Sequence, residues 1–388
     1  MTSTLRIGAT GFGLIAVCYG FARFAFGLFL PGMRADLAFS ATLAGVVSGG
    51  AFAAYCVAII VSARLSERLG PRTVAVVAAL VAGAGMTGMA LAPSALWLAG
   101  FVLIAGASTG LASPPMADAV ARAVPAPKQD ATNTAINAGT SAGVALSGPV
   151  ALVAGHDWRI VFAVFAAVAF ALAAAAFLAL PRHAVSSAGQ AEHAMPAFNP
   201  NLWQLVGAAL LMGAASTALW SFGGEIVHQR LDWSTTGAGL LWIAIGGAGV
   251  LGAAAGWLTE RLGINTTHRL FLLALAGGLG LTGFGFTTPM LSLAGGALFG
   301  MAYVMLTGVY LVWGTAALPT RPGTGLMIGF LTIAVGQTVG APLFGALMGH
   351  VSLQVAVAVF AGLALLPGVF GCRARYATGA APTVPACG

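Results

Sequence analysis

Residues 65–70 read LSERLG and residues 258–263 read LTERLG, 193 positions apart. Five of the six positions agree and each phrase follows a long apolar run, so the chain reads as one hydrophobic unit duplicated and joined head to tail. The same offset carries Gly143 onto Gly336 and Pro149 onto Pro342, which extends the repeat well beyond one turn.

Outward from these phrases, apolar runs of about 20 residues, the length that crosses a bilayer as a helix, recur twelve times. They cover 8–31, 40–61, 73–93, 96–117, 134–155, 159–180, 203–224, 236–258, 269–288, 290–316, 325–348 and 352–371. Only 6% of the 388 residues are charged and 59% are hydrophobic, with a mean hydropathy of +0.96; a soluble domain carries roughly a quarter charged residues. The chain is therefore expected to be an integral membrane protein with almost nothing outside the bilayer. A β-barrel is excluded because the runs are continuous rather than alternating, and lipid admits only helices or closed barrels. The first run exceeds the apolar core of a secretory signal, about 7–15 residues, so it is expected to remain as the first helix.

The net charge of +7 suggests nucleic acid until it is distributed over the loops. With the N-terminus inside, Arg6, Arg64, Arg68, Arg72, Arg122, Lys128, Arg182, Arg261, Arg269, Arg321, Arg373 and Arg375 fall on the cytoplasmic side, Arg34, Arg159 and Arg230 fall outside, and Arg23 lies within a span. Positive loops inside are the rule for membrane helices, which places both termini in the cytoplasm and removes the need for an anionic partner. Cys18, Cys56, Cys372 and Cys387 show no metal spacing and are expected to be inert.

The expected fold is all-α, with twelve transmembrane helices in two six-helix bundles related by a pseudo-two-fold axis. An N-terminal bundle over 1–180 is followed by a cytoplasmic linker over 181–201 rich in Pro, Ser, Gln, His and Asn, a C-terminal bundle over 202–374 and a cytoplasmic tail over 375–388. An even number of spans between the copies gives both halves the same orientation, a parallel repeat about the membrane normal.

The run GWLTERLGIN at 256–265 resembles the loop signature of the major facilitator superfamily: Gly, three residues, an acid, Arg, one residue, Gly. Its partner ARLSERLGPR at 63–72 has Ala63 for the first Gly and ends in the expected base, Arg72. The two follow spans two and eight, as in that family. The residues Glu67, Arg68, Gly70 and Arg72, with Gly256, Glu260, Arg261 and Gly263, are read as paired cytoplasmic gates. Each acid can sit near the positive end of a neighbouring helix while the Arg meets carbonyls or acids opposite, contacts made in one conformation and broken in another; ordinary solvated turns are the alternative.

Arg23 lies inside the first span about 12 Å of helix from Pro31. A charge there costs several kcal/mol unless it faces a cavity or partner, and Tyr19 shares its face; snorkelling to the outer interface is the competing reading. Glu225 and His228, one turn apart at the outer end of span seven, suit a proton relay or a wet rim. Asp118 and Arg122, four apart, read as an ion pair or an inner gate. The family often has an Arg in helix four before its Gly-rich stretch, where this chain has Val102. Gly139, Gly143, Gly148 and Pro149 partly resemble the Gly-Pro pattern of the family's antiporters, and with Gly336, Gly340 and Pro342 they also read as close helix packing. Asn137, Trp220, Tyr303, Tyr310 and Gln337, beside Trp313, could line a cavity that reads a substrate's shape.

Several motifs fail. Gly278, Gly280 and Gly283 match a dinucleotide fingerprint, but inside an apolar span with no preceding strand. Lys128, the one lysine, lacks the glycines of an ATP-binding loop, and the histidines form no metal or catalytic pattern. The expectation is therefore not an enzyme but a secondary active transporter of a small organic solute in the plasma membrane, working as a monomer without cofactor, metal or nucleic acid. Its gradient is expected to be protons or another coupling ion, with direction tilted toward efflux. An uncoupled facilitator, an importer of an organic anion and a non-transporting sensor are the alternatives.

Overall fold

A computed structural model describes residues 3–155, 157–180 and 199–372. Most of the expected linker, 181–198, and the expected tail, 375–388, lie outside the described residues, as do Arg182, Arg373 and Arg375. Six helices form the first half: α1 Thr4–Leu37, α2 Ala41–Leu69, α3 Pro71–Ala90, α4 Ala95–Ala123, α5 Ala126–Ala154 and α6 Trp158–Ala179. The second half holds α7 Pro200–Leu231, α8 Thr235–Leu262, α9 Ile264–Gly283, α10 Pro289–Ala317, α11 Pro322–His350 and α12 Leu353–Val369. Among the described residues, ten of these are long and apolar enough to cross a bilayer; α9 and α12 complete the twelve-helix fold.

Side-chain caps begin several helices. The hydroxyls of Ser40, Ser94, Thr288 and Ser352 and the Asp157 carboxylate accept from backbone N–H groups at the starts of α2, α4, α10, α12 and α6, each contributing about 1 kcal/mol. The repeated phrases end α2 and α8. Gly70 and Gly263 adopt the same backbone, φ 80° with ψ 155° and 154°. Their N–H groups bond to Ser66 O and Thr259 O, again 193 apart. A positive φ of this kind suits glycine and lets each following helix start at the next residue.

The halves pack alike inside. The α1–α5 and α2–α4 contacts of the first correspond to α7–α11 and α8–α10 of the second. Gly139 and Gly143 lie against the α1 backbone at Phe12 and Ala16, and Gly336 and Gly340 lie against α7 at Leu210 and Ala214. Removing a side chain lets backbones approach where lipid offers no hydrophobic drive to pack.

Several helices overrun their expected spans, α2 to Leu69, α4 to Ala123 and α7 to Leu231 at their ends and α5 from Ala126 at its start, and two further shifts change the reading. The first span continues past Pro31 to Leu37, because in packed membrane helices neighbouring groups can satisfy the backbone that a proline leaves free. Arg34 therefore projects from a helix rather than a loop. The ninth span runs 264–283 rather than 269–288, since Gly263 starts it early and Phe284, in extended backbone, stops it.

Candidate functional site

Midway along α1 the helix widens into π-type turns over Ala16–Phe24, with the Ala25 N–H reaching back to Gly20 O. Such turns re-aim side chains and concentrate at functional sites, and this one carries both Tyr19 and Arg23. They face a cavity of about 350 Å³ between the two halves. Residues from α1, α2, α4, α5, α8, α10 and α11 line it, and α3, α6, α9 and α12 stand outside.

Arg23 is 8% exposed and crosses between the halves. Its Nη2 donates to Gln337 Oε1 on α11 at 2.7 Å, and the Gln337 amide nitrogen donates to Ser216 Oγ at 3.2 Å and Tyr303 Oη at 3.1 Å. Four rings surround the guanidinium, Phe52 at 4.4 Å, Tyr55 at 4.7 Å, Phe24 at 5.1 Å and Tyr19 at 5.7 Å from its central carbon. The Tyr19 hydroxyl lies 2.9 Å from Ser113 Oγ. Nε of Arg23 is buried without a partner, and among the described residues no carboxylate pairs with this cation.

From this centre the lining descends along Ser113, Thr134, Asn137, Gly256 and Val312 toward the face that carries Gly70 and Gly263. At the opposite face the halves touch. Arg34 Nη1 donates to Glu225 Oε1 at 2.6 Å, the side chains being 24% and 7% exposed, and Gln229 donates to the same oxygen at 2.8 Å. Ser48 and Ser221 share a buried bond at 2.6 Å, and Thr42 meets His350 at 3.4 Å. Backbones close the rest. A side chain at Gly27 would fall on the Trp220 carbonyl, and Gly148 lies against Gly239, Gly45 against Ala341 and Gly49 against Pro342.

Of the expected site residues, Tyr19, Arg23, Asn137, Tyr303 and Gln337 are brought together in the cavity. Trp220 is buried behind it, stacked on Phe24 with ring centroids 4.1 Å apart. Tyr310 is displaced from the cavity and packs with His268, 3.0 Å from its Nε2, because that face of α10 turns into the second bundle. Glu225 and His228 do not reach the cavity either. Glu225 is held by Arg34 at the closed end, and His228 bonds the Trp233 carbonyl at 3.0 Å. At the signature face Glu67, Arg68 and Glu260 are exposed and, among the described residues, make no ion pair. Arg72 lies on Phe177 and Arg261 on Trp257, while Arg122 pairs with Asp118 within α4 at 2.5 Å. The described residues contain no cluster of three metal-ligating side chains. Phe24, Phe52, Tyr55 and the Arg34–Glu225 pair escaped the sequence reading; an α1 running past Pro31 would have put Arg34 eleven residues, about three turns, beyond Arg23 on the same face.

A pseudo-symmetric pair of six-helix bundles around one cavity defines a class of membrane transporters. The sequence profile of the Major Facilitator Superfamily matches residues 12–334, and the chain belongs to that family. No sequence among curated proteins matches it significantly. Solved structures share the fold: the nucleoside transporter NupG with a TM-score of 0.76 at 15% identity, covering 95% of this chain and 98% of that one. The inward open xylose transporter XylE from E. coli gives 0.77 at 14% identity, covering 95% of each chain. A bacterial homologue of the human lysosomal transporter Spinster, inward-facing and unoccupied, gives 0.70 at 15% identity and 95% of each.

Proposed function

We propose that this protein is a secondary active transporter that moves a small organic solute across the plasma membrane by rocking its two bundles about the Arg23 cavity. The observation that carries this reading is the asymmetry of the interface between the halves. It is sealed at one face by Arg34–Glu225, Ser48–Ser221 and close backbones, and lined as a cavity toward the other. With the basic loops and both termini in the cytoplasm, this is an inward-facing state, and the exposed Glu67, Arg68 and Glu260 are gate residues waiting for partners that form when the inner end closes.

Coupling to protons is supported by Glu225, the one buried carboxylate among the described residues. Its proton would remove the charge that holds Arg34 and favour opening of the outer end. Efflux is supported by the Gly148–Pro149 step, whose glycine sits where α5 meets α8. The test is purified protein in liposomes under an imposed proton gradient. A solute that accumulates and is released by a protonophore supports coupling; equilibration that ignores the gradient makes the protein a facilitator, and movement of no solute rejects transport.

A further inference from the structure

We propose that the cavity takes a compact monoanion, a carboxylate on an apolar or aromatic body, and that Arg23 reads its charge; this rests on the transport reading of the same cavity. Among the described residues, Arg23 is the one charged side chain in the lining. It is nine-tenths buried, its Nε has no acceptor, and one of its other nitrogens is committed to the neutral Gln337. The four rings disperse a cation's charge without neutralising it, so the site holds an uncompensated positive charge in an apolar wall. One carboxylate balances that charge. A dianion brings a second negative charge that no lining group meets, and an ammonium, alone or in a zwitterion, finds no acid.

The hydrogen bonds agree. Arg23 can only donate, so the Gln337 atom facing it is the carbonyl oxygen, and both amide hydrogens are then spent on Ser216 and Tyr303. Tyr303 accepts one of them, which leaves its own proton to donate beside Arg23. A carboxylate placed there receives one bond from a guanidinium nitrogen that Gln337 does not hold and one from the phenol, a charge-assisted arrangement about twice as strong as neutral bonds. The body of the ligand then lies along Ile15, Val250, Val304, Phe330 and Ile333. A volume of about 350 Å³ is at the small end for ligand pockets, which sets the compactness.

Thermal stabilisation and calorimetry of the purified full chain test this with matched probes: benzoate and phenylacetate, the neutral benzamide, the cation benzylamine, zwitterionic phenylalanine and the dianion terephthalate. The monocarboxylates are expected to bind at least tenfold more tightly than the others, and R23Q to lose at least tenfold of that affinity while its thermal midpoint without ligand holds or rises. R23K, which keeps the charge without the planar fork, is expected to fall between. Equal binding of amide or amine, unchanged carboxylate binding by R23Q, or binding of neither monocarboxylate would overturn the assignment, and the selectivity across probes in the unaltered protein needs no variant to fold. Liposomes that accumulate no solute while Arg23-dependent carboxylate binding persists would reject transport and leave the site standing.

Discussion

The Arg34–Glu225 pair is the contact whose loss should move the molecule between states. It joins α1 to α7 at the closed face, and Gln229 adds a second donor to the same carboxylate oxygen. E225Q keeps the shape and an acceptor but removes the charge. A hydrogen bond to a charged group contributes about 1.5–3 kcal/mol and a neutral one about 1 kcal/mol; since Arg34 is 24% exposed, we take the low end of the difference, a loss of about 0.5 kcal/mol. That is about a twofold rise in the open-to-closed ratio at this face. R34A is harsher, because it leaves the buried Glu225 charge without its cation, and breaking one side of a buried pair costs about 3–5 kcal/mol; discounted for partial exposure, the shift is about thirtyfold or more. The assay is pulsed electron resonance between labels at Ala35→Cys and Gln354→Cys, two exposed positions at that face on opposite halves, in a background without other cysteines. The long-distance population should grow from the unaltered protein to E225Q to R34A, and R34E with E225R should restore the short distance. Identical distance distributions in all four proteins would refute the argument that this pair holds the face shut.

At the same face, G27V puts a side chain on the Trp220 carbonyl, so this end cannot close. The label distances should lengthen and turnover in liposomes should fall at least tenfold, with the helical circular dichroism unchanged. Gly70 and Gly263 share one positive-φ backbone, and replacing either with Val is expected to cost about 1–3 kcal/mol; thermal melts should show nearly equal losses for the two, as their equivalence requires. Q337L strips an acceptor from Arg23 and a donor from Ser216 and Tyr303 at once. With buried unsatisfied groups costing about 1–3 kcal/mol each, the thermal midpoint should drop further than in Q337E, whose carboxylate keeps the Arg23 bond.

What the sequence could and could not convey follows from the physics of each feature. Helix number, the duplication and the paired glycine turns are written in local pattern, since a bilayer demands length and apolarity residue by residue and a positive φ favours one residue type. Arg23 was legible for the same reason, as a charge where charge is costly. Its surroundings were not, because Gln337 is 314 positions away, and the rings at Phe52 and Tyr55 look like ordinary span residues until α2 is laid beside α1. Reading Pro31 as a stop misplaces Arg34, and with it the partner of Glu225.

The two cross-half hydrogen bonds from the arginines of α1 then take on related meanings. Arg23 and Arg34 project from one helix toward Gln337 and Glu225 of the other half, so α1 can change its hold on the second bundle at two depths. The deeper partner is a neutral amide that a bound carboxylate can supplement. The outer partner is a charged acid that separation of the bundles releases. A ligand that draws Arg23 toward itself weakens the inner link on the helix that carries the outer one. Occupancy and opening are thereby joined through a single rigid element, and R23Q, E225Q and their double variant measure that coupling: non-additive shifts in the label distances with benzoate bound, against additive ones without it, are the outcome this connection requires.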